Sequence, residues 1–304
     1  MNLSARNVES AVNLEGIVLV DKPAGPTSHD VVAKMRKLFN TRKVGHAGTL
    51  DPMATGMLVI GIGRATRLLG YFTAHDKEYL GTIRLGISTT TDDAQGELIA
   101  QTSALHITES EILETVRDFR GPIMQQPSAI SAIKIDGKRA YARVRDGEEI
   151  NIPLRSVMIH DLEILEIKLL PDLGVIDVKV RVVCSAGTYI RALARDIGLK
   201  LGVGGHLTEL RRTRSGVFEE MTSLESLQDK PEIMDLATAV KTGFQYIVLS
   251  DEQASKAVNG VRLSAPVDLA TGHVGLISPD GRAIGLFDNS ESVLHPLVVF
   301  ATNE

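Results

Sequence analysis

Residues 45–52 read GHAGTLDP, and residues 57–63, only a few positions on, read MLVIGIG. The second run carries no charge over seven residues, the pattern of a strand buried on both faces. A core strand has no use for the histidine, threonine and aspartate of the first run, and an ordinary surface loop does not need its glycines and proline. Gly45 and Gly48 let the backbone approach a ligand closely, and Pro52 keeps Asp51 out of the helical region. A lone aspartate in a glycine-rich turn is more often structural than chemical. On these eight residues alone, a tight turn and a chemical site both remain open.

Working outward, GIVLVDKP (16–23) is a short apolar strand broken by a lysine and a proline. Thr27, with Asp30 three residues later, caps a helix that turns Val31, Met35 and Leu38 to one face and leaves Lys34 and Lys37 off it. Downstream, Arg64–Leu69 opens a helix, EYLGTIRLGISTTTD (78–92) reads as a strand and TESEILETVRDF (108–119) as a capped amphipathic helix. Residues 121–150 mix polarities around D-G pairs and suggest a basic, hairpin-like excursion. VMIHDLEILEIKLL (157–170) and GVIDVKVRVVCS (174–185) are long strands, followed by a G-T-Y turn into the helix YIRALARDIGLKLG (189–202). There Ile190, Leu193, Ala194, Ile197 and Leu201 bury one face, which leaves Arg191 and Arg195 side by side on another. GGHLTELRRTRSGVF (204–218) extends further with three arginines, and an acid-rich linker around 225–240 leads to a tail of short strands. The fold expected is an α/β body over 14–240, built on a mixed, largely antiparallel sheet flanked by helices. A separate, small all-β unit over 244–302 follows it.

At 304 residues, 43% hydrophobic and 23% charged, the chain has a globular composition. It contains no apolar run long enough to span a bilayer, so no membrane partner is expected. The polar start MNLSARNVESAVN is no signal peptide and reads as a frayed tail. A single cysteine, Cys184, excludes an internal disulfide and a multi-thiolate zinc site, and fits a reducing cytoplasm. The net charge of -5 hides a segregation: residues 31–70 carry a net +6 and residues 120–145 a net +5. Such clusters can build a positive face on an acidic protein and attract phosphates. The tail beyond residue 240 is net -3 and is expected to contribute modestly to binding an anionic partner.

No HExxH, paired-histidine or Asp-x-Asp pattern supplies a metal, and GIGRA lacks the third glycine and the spacing of a dinucleotide fingerprint. A histidine on a glycine turn beside a basic helix is either exposed or simply hydrogen-bonded, or is a flat ring suited to an unstacked base. His46 is in that position.

The run KVGHAGTLDPMATGMLVIGIGRATR (43–67) resembles the signature of the bacterial tRNA pseudouridine synthase B family. Lys22-Pro23-x-Gly25-x-x-Ser28, Lys77-x-Tyr79, Ser131-Ala132-x-Lys134 with Gly137, Gly187-Thr188-Tyr189-Ile190-Arg191 and Leu210-Arg211-Arg212 match its further blocks in order. The family usually shows two adjacent prolines before the Ser-Ala-x-Lys block, and here Pro127 is followed by Ser128. The resemblance implies conversion of uridine 55 in the tRNA T-arm to pseudouridine, with tRNA as partner and no obligate protein partner. It makes Asp51 the catalytic aspartate, Arg191 its ionic partner, Tyr79 the ring stacked on the target uracil, and His46 the residue that helps open the T-loop. It also implies that the tail is a small, PUA-like RNA-binding β-barrel. Lys22, Arg64, Lys134, Arg211 and Arg212 are expected at RNA, where their charge suits phosphates. Uridine and pseudouridine are isomers, so no cofactor is expected.

The competing reading is a noncatalytic RNA-binding or RNA-remodelling protein in which Asp51 shapes a loop. A pure binder has no need of an aspartate facing a phosphate-rich ligand, and the co-occurrence of Asp51, Tyr79 and Arg191 favours the enzyme. A zinc-dependent base deaminase fails outright on one cysteine.

Overall fold

In a computed structural model of the chain, the described residues are 15–128, 134–135, 138–139 and 152–300. The N-terminal tail and most of the basic excursion, including Ser131, Ala132, Gly137, Arg143 and Arg145, lie outside them. Of Lys134 only the backbone is described.

The body is one ten-stranded sheet. Its strands are β1 (Gly16–Lys22), β2 (Val44–Ala47), β3 (Thr55–Ile62), β4 (Lys77–Leu85), β7 (Gly121–Gln125), β10 (Arg155–Leu170), β11 (Val175–Cys184), β12 (Gly205–Ser215), β13 (Thr222–Ser223) and β14 (Met234–Asp235). Two small hairpins interrupt this order: β5 (Ile87–Thr89) with β6 (Leu98–Gln101), and β8 (Lys134–Ile135) with β9 (Lys138–Arg139). The order β13-β1-β3-β12-β4-β11-β10-β7, with β2 also on β3 and β14 also on β1, is antiparallel except at β1–β13 and β3–β12. The mixed, largely antiparallel sheet expected is therefore present.

β3 is buried on both faces, as its uncharged run predicts, and the period-two alternation of a strand divides its side chains between two cores. Leu58, Ile60 and Ile62 join Val31, Met35, Leu193 and Ile197 under the helices Ser28–Leu38 and Ile190–Lys200. Met57 and Val59 face the other way, toward Phe72, Val240, Ile277, Leu286 and Phe300. The capping box foreseen at Thr27 and Asp30 forms, and a second one forms at Thr108 and Glu111.

Residues 245–299 make their own curled five-stranded sheet from β15 (Gln245–Val248), β16 (Leu263–Ser264), β17 (Gly272–Ile277), β18 (Ala283–Ser290) and β19 (Val293–Val299), in the order β15-β17-β18-β19-β16. Two expectations are corrected here. The unit is not all-β, because the helix Asp251–Val258 packs on it behind a Ser250–Gln253 capping box. It keeps its own sheet and its own core, and it packs against the body through Ile277, Leu286 and Phe300. The acid-rich stretch before it is no linker. It folds as the helix Leu224–Asp229, the strand β14 against β1, and the helix Leu236–Gly243, whose Ala239 and Val240 are buried at the seam.

Candidate active site

Asp51 sits in the turn between β2 and β3, and the block KPAGPTS (22–28) holds that turn from outside. Ser28, 1% exposed, donates from Oγ to the Leu50 carbonyl at 3.0 Å and accepts from the Leu50 amide at 2.9 Å. The Gly25 amide donates to the Pro52 carbonyl at 2.8 Å, with Gly25 at φ +104°, where a side chain would be strained. Lys22 is fully buried, and its ammonium donates to the carbonyls of Pro23, Pro26 and Pro52. Burial pushes that ammonium down to about 8, with the Asp51 charge pulling it back up. Lys22 is thus corrected from an expected phosphate contact to a clamp on both sides of the turn.

Arg191, 5% exposed, is the second residue of its helix. Its Nε donates to Asp51 Oδ2 at 2.9 Å and its Nη2 to Oδ1 at 3.2 Å, a forked pair that fixes the carboxylate plane. Its Nη1 donates to the Thr91 carbonyl at 2.8 Å and lies 3.5 Å from Asp93 Oδ2. The Asp51 side chain stays 36% exposed, so the carboxylate is oriented from behind and open in front. Arg191 and Arg195 do stand side by side on one face, and both reach into the 91–93 turn, Arg195 pairing with Asp92 at 3.0 Å. The acids of that turn draw both guanidiniums inward.

Tyr79, 8% exposed, lies on β4 directly across from Arg212 on β12. Burial pushes its phenol up, while the Arg212 guanidinium pulls it down. His46 is on β2, with its ring edge-on to His29 at 5.5 Å between centroids. Burial, reinforced by His29 and Arg212, lowers it to about 4, so it is neutral at pH 7. Its Nδ1 is buried without a hydrogen-bond partner among the described residues.

The other expected cations divide. Arg211 is 41% exposed at its side chain and forks onto Asp21 at 2.9 and 2.8 Å. Arg212 is 1% exposed, which removes it from any phosphate. Arg64 bonds Glu15 and the Phe300 carbonyl at the seam between the sheets, so it serves there as a tie. Lys34, Arg36, Lys37, Arg42 and Lys43 are exposed on and after the helix Ser28–Leu38. Among the described residues, no group of three acids, histidines or cysteines is disposed to hold a metal, and no helix is long and apolar enough to cross a membrane.

Family profiles match nearly the whole chain: "TruB family pseudouridylate synthase (N terminal domain)" over 36–190, "tRNA pseudouridylate synthase B C-terminal domain" over 191–242 and "tRNA Pseudouridine synthase II, C terminal" over 244–301. The chain belongs to the TruB family. It is 50% identical to the tRNA pseudouridine synthase B of Thermobifida fusca, over 94% of this chain and 99% of that one. It is 51% identical to that of Corynebacterium diphtheriae, over 89% and 91%. Among solved structures, a chain of an H/ACA RNP bound to a substrate RNA containing 2′-deoxyuridine superposes with a TM-score of 0.72 at 26% identity, covering 98% of this chain and 88% of that one. A TruB-family chain with this fold is a pseudouridine synthase, an isomerase.

Sequence reasoning passed over several residues of this TruB-family site. Asp93, buried to 4% exposure, is held by Thr91 Oγ1 at 2.5 Å and the Gln95 amide at 3.0 Å, and it braces Arg191 from behind. It was hidden in TTTDD, at the polar end of a stretch read as a strand. Gln125, 1% exposed, pairs its side-chain amide with the main chain of Tyr189 at 3.0 and 2.8 Å, just before Arg191. The doubled glutamine before Pro127 was the available signal.

Proposed function

We propose that this chain converts uridine 55 of the tRNA T-arm into pseudouridine, with Asp51 acting on the uridine after the base has been extruded. The tRNA substrate rests on the relatives' names, which specify tRNA pseudouridine synthase B at about half identity over nearly full length. The observation that carries the role of Asp51 is its carboxylate, forked onto a buried arginine and still 36% open.

The reaction is an isomerisation. The N1–C1′ bond breaks, the detached base turns while trapped, C5 joins C1′, and the C5 proton ends on N1. Atoms and electrons balance within the substrate. An ionised carboxylate can start this by attacking C1′ or by taking the 2′ proton. Arg191 presents the carboxylate in one plane. Tyr79 offers a buried ring for the base to pack against, and His46 a neutral ring to help open the T-loop. Extrusion costs a few kcal/mol, offset by stacking and by phosphates on the exposed cations at 34–43 and on Arg211.

The test is incubation with unmodified tRNA transcript, mapping of any pseudouridine, and single-turnover comparison with Asp51→Asn. Modification should appear at position 55. The variant should lose at least about a thousandfold in rate while keeping its tRNA affinity. Near-normal conversion by folded Asp51→Asn would return GHAGTLDP to being a turn.

A further inference from the structure

Arg212 is among the largest fully buried side chains of the described residues, and it stands where the site's strands meet. On β12 it lies opposite Tyr79 of β4 on one side and Gly56 of β3 on the other. Its Nε donates to the Met57 carbonyl at 2.6 Å and its Nη2 to the Gly48 carbonyl at 3.0 Å. One guanidinium therefore ties together the residues before and after the Asp51 turn.

The chain leaves room for it. Gly48 has φ +78°, and a Cβ there would come within 3.3 Å of Arg212 Nη1. Gly56 has φ +96°, and a Cβ there would meet the Arg212 carbonyl at 2.2 Å. Gly48 thus gives room to the Arg212 guanidinium, and Gly56, at the other end of TLDPMAT, to the backbone of β12 at the same residue. A buried guanidinium that bonds the Met57 and Gly48 carbonyls and faces the Tyr79 phenol, with no ion pair among the described residues, is costly to desolvate. For shape alone an apolar side chain would serve as well or better. Lys77, 5% exposed and bonded to the carbonyls of Thr73 and His75, adds a second buried cation nearby. Its ammonium is lowered to about 8, by burial first and then by Arg212.

We propose that Arg212 is a positioning residue for the isomerisation, locking the Asp51 turn to the strand that carries Tyr79 so that carboxylate and ring stand at one fixed separation. It does not hold tRNA. The inference rests on the reading above, in which Asp51 acts on an extruded uridine packed against Tyr79. A small loss of alignment between reacting groups costs on the order of a hundredfold in rate, even when binding is intact.

The experiment uses the full chain with Arg212→Met and Arg212→Lys, and unmodified tRNA transcript. Three quantities are read: the single-turnover rate constant, the amplitude (which counts folded, competent enzyme) and the affinity from filter binding. Arg212→Met should lower the rate constant on the order of a hundredfold, with affinity within about threefold. Arg212→Lys, which keeps the charge without the planar fork, should fall between it and the parent. A purely structural role would lower the amplitude and leave the rate constant of the surviving enzyme unchanged, and that result overturns the proposal. A loss confined to affinity overturns it equally, by making Arg212 a tRNA contact. Should Arg212→Met fail to fold, the same criteria apply to Arg212→Lys, and a parental rate constant there is decisive against it. Asp51→Asn runs alongside. If it is active, the catalytic reading fails. If it is inactive while both Arg212 variants turn over normally, only the present inference fails.

Discussion

Arginines meet carboxylates and carbonyls both at the site and at the seam between the sheets, with opposite consequences. At the site, Arg191 is buried and its partner Asp51 is left 36% exposed, so the pair presents a fixed, reachable charge. At the seam between the two sheets, Arg64 binds Glu15 and the Phe300 carbonyl, and Arg67 binds the Val299 carbonyl. Nothing reactive is left over there. The same residue type, drawn from distant parts of the sequence, is an instrument in one place and a fastening in the other. What separates them is whether the arginine's partner keeps an open face.

The comparison breaks most readily at the seam. Deleting 244–304 strips the second core of Ile277, Leu286 and Phe300 and exposes Met57, Val59, Phe72 and Val240. Each large apolar side chain returned to water costs about 1.5–3 kcal/mol, and in a domain of this size each kcal/mol lowers Tm by about 2–4 °C. The body alone should therefore melt more than about 10 °C lower, or fail to stay soluble. The charge of the tail suggests a modest contribution to binding, whereas its packing ties it to the stability of the body. A truncated protein with the parental melting profile and full conversion would show the seam to be superficial.

This asymmetry also governs what could be read from the sequence. The blocks around Lys22, Gly25, Ser28, Gly48, Asp51, Tyr79 and Arg191 were legible because each residue type answers a strict local demand. Gly25 and Gly48 have positive φ, and Ser28 must both donate to and accept from Leu50. Such demands leave a pattern in the letters. Burial of charge leaves none: Lys22 and Arg212 read as surface cations because a lysine or arginine in a strand is usually at the solvent. The seam was illegible for a related reason. An apolar residue such as Ile277 or Phe300 states that it is buried, but not against which neighbour. The helix Asp251–Val258 did carry a signal, the Ser250-x-x-Gln253 cap, within a stretch that read as part of a β tail.

A second way to sharpen the comparison is pH. His46 at the site titrates near 4 in the folded chain, against 6.5 unperturbed. The unfolded chain therefore takes this proton first. Stability from His46 is complete above pH 6.5 and is lost as pH falls from 6.5 toward 4, by at most about 1.4 kcal/mol per pH unit. Melting curves of the parent and His46→Gln between pH 7 and 4.5 should converge as the pH falls, since the variant lacks this proton. His75 at the seam, packed on Phe72 and Phe244, is also lowered by burial and remains in both proteins. Parallel curves would show that the acid sensitivity comes from elsewhere, the seam included.

The smallest effect is expected from Arg67→Ala. Its guanidinium donates to the Val299 carbonyl at 2.8 Å, but from an exposed side chain, so water can replace the bond once it is removed. A solvent-accessible hydrogen bond of this kind contributes about 0.5–1.5 kcal/mol, and its loss here should sit at the low end because no acceptor is left dry. Arg64, next along the same turn, still holds Phe300 and Glu15, so the sheets stay joined. Calorimetry should show a fall in Tm of a few degrees or less, and single-turnover conversion should be unchanged, since Arg67 touches neither Asp51 nor its bracing residues. A drop in the rate constant without a drop in Tm would mean that the seam and the site are mechanically coupled through the turn that follows β3. Arg67 would then belong to the instrument and not to the fastening.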